Sequence, residues 1–281
     1  MKLFSKCIKY LSGLSCILVT GLILFLFGFI FYRGAGVISV KFLTDVPKGA
    51  IIGSEGGILP AIIGSLMYTG TALLTAAVPS FSLALYQVYY QKNRLGRTFF
   101  KIIIQCISGI PSIVFGMFGY SFLVLFLGWG RCILSGGVTL GLMIIPFIEI
   151  RLENAMRQQP ALLAEQSAAL GVSSFYMIRH LIIPCIFPEI ISAFLLGGCY
   201  AMGAAAPLIF TGAVVNAPVT TDLMSPAMAL PNHLHSLLTQ GISTENAYGT
   251  AFVLMLLVLV VNLGSTFYAR RRSLKWKTRK I

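Results

Sequence analysis

Charge is scarce in this chain, and acid scarcest of all. Only 10% of its 281 residues are charged, and 21 Lys and Arg stand against 8 Asp and Glu. A soluble globular domain carries about 25% charged residues, so a water-facing surface over most of the chain is excluded. The six cysteines (Cys7, Cys16, Cys106, Cys132, Cys185, Cys199) include no CxxC pair. Their spacing implies neither a disulfide framework nor a thiolate metal centre, and they read as small apolar filler. His233-Leu-His235 is the one close histidine pair, and two histidines alone make a weak metal site. There is no G-x-x-x-x-G-K-[ST] phosphate loop. Nor do the apolar runs hold a nucleophile–base pair or a carboxylate dyad. The chain therefore reads as a non-enzyme that burns no nucleotide itself.

What fills the space is apolar. Hydrophobic residues make up 57% and mean hydropathy is +0.88. A bilayer core about 30 Å thick needs roughly 20 apolar residues in a helix. Six stretches qualify, at about 11–32, 58–86, 102–128, 132–150, 186–213 and 247–268. The first follows Lys2, Lys6 and Lys9, but it is too long for a signal-peptide core and lacks an A-x-A cleavage site. It reads as a retained helix. With the N-terminus inside, every Lys and Arg except Arg33, Lys41, Lys48 and Arg131 falls on the inner side. That asymmetry places both termini in the cytoplasm. It also accounts for the net charge of +13 without nucleic acid. The basic tail from Arg270 to Lys280 reads as a topology anchor that touches acidic lipid headgroups.

Three loops are long: the outer loops 33–57 and 214–246, and the inner loop 151–185. In the inner loop, Leu162 to Leu170 forms a short helix with small and apolar faces, and Gly171 stops it through a left-handed C-terminal conformation. Phe175, Ile178 and Leu181 then recur at helical spacing, and Pro184 marks a turn into the fifth span. Glu165-Gln166-Ser167-Ala168-Ala-Leu-Gly171, nine further residues and Leu-Ile-Ile-Pro184 resemble the EAA loop of ABC importer permeases. Gln166 and Ser167 replace the two alanines and Ile183 a leucine. The resemblance implies that Glu165, Gln166, Ser167, Ala168, Gly171 and Pro184 form a lever docking into a separate ATPase. On the residues alone, an ordinary amphipathic interfacial helix remains open.

Four further segments, in order, resemble the phosphate (PstA-type) permeases. They are Gly56-Gly-Ile-Leu-Pro60-Ala-Ile-Ile-Gly64, Gly109-Ile-Pro111-Ser112-Ile-Val-Phe-Gly116-Met-Phe-Gly119, Gly203 with Ala206-Pro207-Leu208-Ile-Phe210-Thr211, and Ser225-Pro226-Ala-Met-Ala-Leu-Pro231. Each glycine or proline also has a packing reading. The family pattern before Ala-Pro-Leu carries an Arg and a Glu, where this chain has Tyr200 and Ala204. Losing both together leaves no orphan charge, but it opens the question of which solute is carried.

The expected fold is an all-α membrane protein of type I ABC importer permease architecture, a single permease domain over 1–281 in the plasma (inner) membrane of a prokaryote. Pro111, Ser112, Tyr200, Gly203, Pro207 and Thr211 are candidates for the translocation pathway. Arg151, Glu153 and Arg157 are candidates for an inner gate, with a solvated ion-pair cluster that includes Glu149 as the plainer reading. The resemblance implies a homologous PstC-like permease, two PstB-like ATPases that hold ATP and Mg, and an extracytoplasmic PstS-like binding protein. No cofactor belongs to the chain itself. Three alternatives stand beside phosphate import: another oxyanion or small solute, a self-sufficient secondary transporter or channel, and a membrane scaffold or signalling subunit.

Overall fold

The computed structural model describes residues 2–48, 55–91, 93–158 and 169–278. Helix α1 (Lys2–Gly34) is apolar on all sides between its terminal basic residues, and its most apolar stretch is unburied by protein. A helix hydrophobic all round belongs in lipid. Its outer end meets α11 (Thr244–Thr278), where Phe29 and Phe31 pack edge-on against Tyr248 and Phe252. The first outer loop is stapled down. Ser39 caps α2 (Val40–Thr44) by accepting from the Phe42 amide at 3.1 Å, and β1 (Pro47–Lys48) pairs antiparallel with β2 (Glu55–Gly56).

Helix α3 (Leu59–Leu85) runs inward and continues as a π-helical turn, Tyr86–Tyr90. Helix α4 (Arg94–Ser108) is amphipathic and is capped by Asn93. The chain then departs from the straight third span expected at 102–128. Helix α5 (Ser112–Gly119), extended by π-helix over Tyr120–Phe126, leaves α4 at 90°. Pro111 stands at the break: its own backbone is extended, at φ −57°, ψ 139°, and a proline also disfavours helical backbone in the residue before it.

Helix α6 (Ile133–Arg157) starts on Cys132, whose sulfur accepts from the Ser135 amide. It runs well past the expected end at 150. A further helix begins at Ser173, which caps α7 (Ser174–Met177), passes through a π-turn at Ile178–Ile182 and continues as α8 (Ile183–Gly203). Pro184 therefore does not turn the chain. It follows the π-turn directly within one continuous helix, and the altered backbone bonding there accommodates a residue without an N–H. The fifth span instead begins at Ser174 and breaks at Ala204–Ala205, before the short α9 (Ala206–Thr211). Helix α10 (Leu230–Thr239) lies in the second outer loop.

Among the described residues five helices are long and apolar enough to cross a membrane, and the bent α4–α5 pair makes a sixth if counted as one span. The core is the crossing of α3 and α6. Gly136, Gly137 and Gly141 of α6 bring the backbone against Tyr68, Thr71, Ala72 and Thr75 of α3, with no room for a methyl group. This is the small-residue packing that membrane helices use, because lipid offers no hydrophobic drive between them. Ile144, Ile148 and Leu152 extend this core inward to Ile186 of α8. At the outer end Phe42, Ile58, Ala61, Met228, Leu230 and Val253 form a second cluster under the outer loops.

Candidate functional site

The four sequence segments singled out above pack against one another in two pairs. Gly64 of α3 lies directly under the Met228 carbonyl, and the neighbouring Ser65 accepts from the Leu230 amide at 2.8 Å. Tyr68, 1% exposed, adds a hydroxyl within 3.3 Å of both the amide and the carbonyl of Ala227. The Pro60–Gly64 segment thus carries the Ser225–Pro231 loop. In the second pair, Gly116 of α5 abuts Pro207 and the Ala206 carbonyl, and Gly119 abuts Thr139 and Thr211.

Arg131, absent from the sequence candidates, holds the outer end of this arrangement. One guanidinium nitrogen donates to the carbonyls of Ile209 and Ala213 at 2.7 and 2.8 Å. A cation there satisfies the open C-terminus of α9. Nearby Asn232 donates to the Ala205 carbonyl at 3.3 Å, across the break between α8 and α9. His233 is buried, and burial pushes its imidazole down to about 4. No local pattern marks these residues; their partners are distant in sequence.

The pathway candidates separate. Pro207 and Thr211 are buried, and the Thr211 hydroxyl donates to the Pro207 carbonyl at 2.8 Å. In this conformation both are packing residues. Pro111 and Ser112 sit at the α4–α5 bend, and Gly203 lies at the end of α8 with open space beside it. Tyr200 is about half exposed and stacks on Phe147 of α6, with ring centroids 5.3 Å apart and planes 7° apart.

At the inner end the three gate candidates also divide. Glu153 and Arg157 form an ion pair at 2.6 Å. Arg151 turns away from it, with its guanidinium carbon 5.8 Å from the Phe147 ring centroid. Glu149 departs from the solvated cluster expected of it. It is 1% exposed and accepts a 2.7 Å hydrogen bond from Gln87, itself 1% exposed in the π-helical turn after α3. A buried carboxyl joining two spans was not visible in the i, i+4 spacing of Glu149 and Glu153, because Gln87 lies far off in sequence.

Of the ATPase-lever candidates, Glu165, Gln166, Ser167 and Ala168 lie outside the described residues. Gly171 is left-handed, with φ +69°, and Pro184 is in the first turn of α8.

Five long apolar helices, a bent pair that makes a sixth span and a break after α8 make an architecture of the importer-permease kind. Solved permeases share the fold. The chain superposes with TM-score 0.60 on an inward-facing MetNI methionine ABC transporter (18% identity, 75% of this chain and 95% of that one). It gives the same score on a bacterial ABC transporter involved in import of the acidic polysaccharide alginate (17% identity, 96% and 99%). Residues 80–273 match the family of binding-protein-dependent transport system inner membrane components, and the chain belongs to that family. It is 28% identical over 279 residues to the probable ABC transporter permease protein YqgI of Bacillus subtilis, covering 94% of each chain. It is 30% identical over 232 residues to the probable phosphate transport system permease protein PstA of Methanocaldococcus jannaschii, covering 82% of this chain and 80% of the relative. The chain is thus an integral, multi-pass inner-membrane subunit of an ABC importer. It works with a partner permease and with ATPases that hydrolyse ATP in its place.

Proposed function

We propose that this permease imports inorganic phosphate. The whole chain, 1–281, acts as one permease domain that forms the pathway with a homologous PstC-like subunit. Two PstB-like ATPases drive it through the segment that includes Glu165, Gln166, Ser167, Ala168 and Gly171, and Pro184 follows within the helix that receives the push. A PstS-like extracytoplasmic protein delivers solute to the outer loops. The observation that carries the reading is the pairing of the four phosphate-type segments: Gly64 and Ser65 under Met228–Leu230, and Gly116 and Gly119 against Ala206–Thr211. Residues scattered over most of the chain serve two shared contacts, so their joint likeness to the phosphate branch is one constraint met as a unit. The PstA relative supports the same substrate.

Tyr200 favours a second reading, import of another oxyanion or small solute. Its ring is stacked on Phe147 and brings no charge to a position where the phosphate branch has an arginine. Proteoliposomes containing the complete importer decide between the two. Phosphate import predicts ATP-dependent uptake of radiolabelled phosphate that excess sulfate leaves unchanged. Uptake of sulfate or of a neutral solute in its place would overturn it. Uptake that persists without the ATPases would overturn the importer mechanism as well.

A further inference from the structure

Between the inner ends of α6 and α8 lies a polar vestibule of about 410 Å³, lined by Arg151, Asn154, Ala155, Gln158, Glu189 and Ser192. Arg151 is its cation. An arginine near a membrane boundary ordinarily reaches for the water side. Here the guanidinium instead lies back over Phe147, one helical turn toward the membrane interior. Phe147 is in turn stacked on Tyr200, so a file of Arg151, Phe147 and Tyr200 runs from the vestibule up the exposed face of the bundle. The nearby acid Glu153 is taken by Arg157, and Arg151 makes no ion pair among the described residues. Its planar fork of donors suits an oxyanion. Asn154 and Gln158 bring amide donors to the same space. Glu189 is the opposing element: it lines the vestibule from α8, is exposed, and makes no ion pair with Arg151.

We propose that this vestibule is an oxyanion-binding site at the cytoplasmic end of the pathway, in which Arg151 holds the anion and Glu189 weakens its grip. The proposal rests on the anion-import reading and adds the site from which the anion is released. A carboxylate facing a bound anion raises the energy of the occupied site without blocking access. An exit site needs this, since tight binding there would stall turnover.

The test uses the complete importer in nanodiscs, with Ser192→Cys, on the vestibule wall but outside the anion-holding set, labelled by a charged maleimide against the unsubstituted importer as background. Inorganic phosphate or sulfate replaces chloride at constant ionic strength, so screening stays fixed. The expected result is that millimolar oxyanion slows labelling several-fold. Arg151→Gln should shift the protecting concentration up by about tenfold or more, as expected for loss of a charge-assisted contact. Arg151→Lys should retain part of the protection, and Glu189→Gln should give the same protection at a lower concentration. Labelling indifferent to both anions, or protection unchanged in Arg151→Gln, would overturn the site. Protection by sulfate and not by phosphate would uphold the site and overturn phosphate as the cargo. Circular dichroism and ATPase activity of each variant complex identify any that fail to assemble, and Arg151→Lys then supplies the comparison.

Discussion

Gly64→Ala puts the seam between α3 and the second outer loop to a quantitative test. A methyl group at position 64 would fall inside the contact distance of the Met228 carbonyl oxygen, a backbone atom that no rotamer change can move. Restoring a normal separation requires the loop to lift by about 1.5 Å. One residue along, the Leu230 amide donates to Ser65 at 2.8 Å, and a lift of that size breaks the bond and leaves a buried amide unpaired. Overpacking costs about 1–3 kcal/mol, and a stranded buried donor about 1–3 kcal/mol. Both follow from one displacement, so they do not simply add. Alanine's better helix propensity returns about 1 kcal/mol. The net expectation is a loss of about 1–3 kcal/mol. Gly70, further along the same helix, is the control, since a methyl there meets nothing within 4 Å. Gly70→Ala should be neutral or stabilising by up to about 1 kcal/mol. Denaturant unfolding of the purified complex reads both, and disulfide trapping between α3 and residues 227–230 reads the lift directly. A Gly64→Ala protein as stable as Gly70→Ala, with the loop still seated, would refute the reasoning.

Three further outcomes are expected. Gln87→Leu and Glu149→Leu should each cost about 1–3 kcal/mol by stranding a buried partner, while the double variant should cost less than their sum; simple additivity in the double-mutant cycle would show that the 2.7 Å contact is not formed. Arg131→Gln should uncap the carbonyls of Ile209 and Ala213 and speed hydrogen exchange around residues 209–214; unchanged exchange there would count against the capping role. His233 is held neutral by burial, with its imidazole lowered from 6.5 to about 4. The unfolded chain therefore takes up the proton first, and stability that is full above pH 6.5 falls by up to about 3 kcal/mol as the pH drops toward 4. His233→Leu should flatten that acid limb of the stability profile, and an unaltered limb would assign it to other groups.

Residue chemistry alone pointed to lipid as the solvent and to the orientation of the chain, while the class of the protein came from motif resemblance. Long apolar runs have one stable home, and lysine and arginine stay on the side from which they cannot cross, so spans and orientation follow from a one-dimensional pattern. The pairing of the phosphate-type segments was another matter. Nothing in the order of Gly64, Gly116, Pro207 and Met228 says which will touch; the close approach of helices at missing side chains decided it. The 90° bend at Pro111 and the continuous helix through Pro184 show the same division. Both prolines weaken a helix locally, but a proline at a chain break bends the path, while one beside a π-turn is absorbed. The least visible features were the polar ones, namely Gln87 on Glu149, Arg131 on α9, and Arg151 laid back over Phe147. Only the first two depend on partners remote in sequence. Arg151 has its partner four residues away, and what the fold added was the vestibule that α8 builds around it. A side chain's role in a membrane is set by whatever replaces water around it, and packing supplies that.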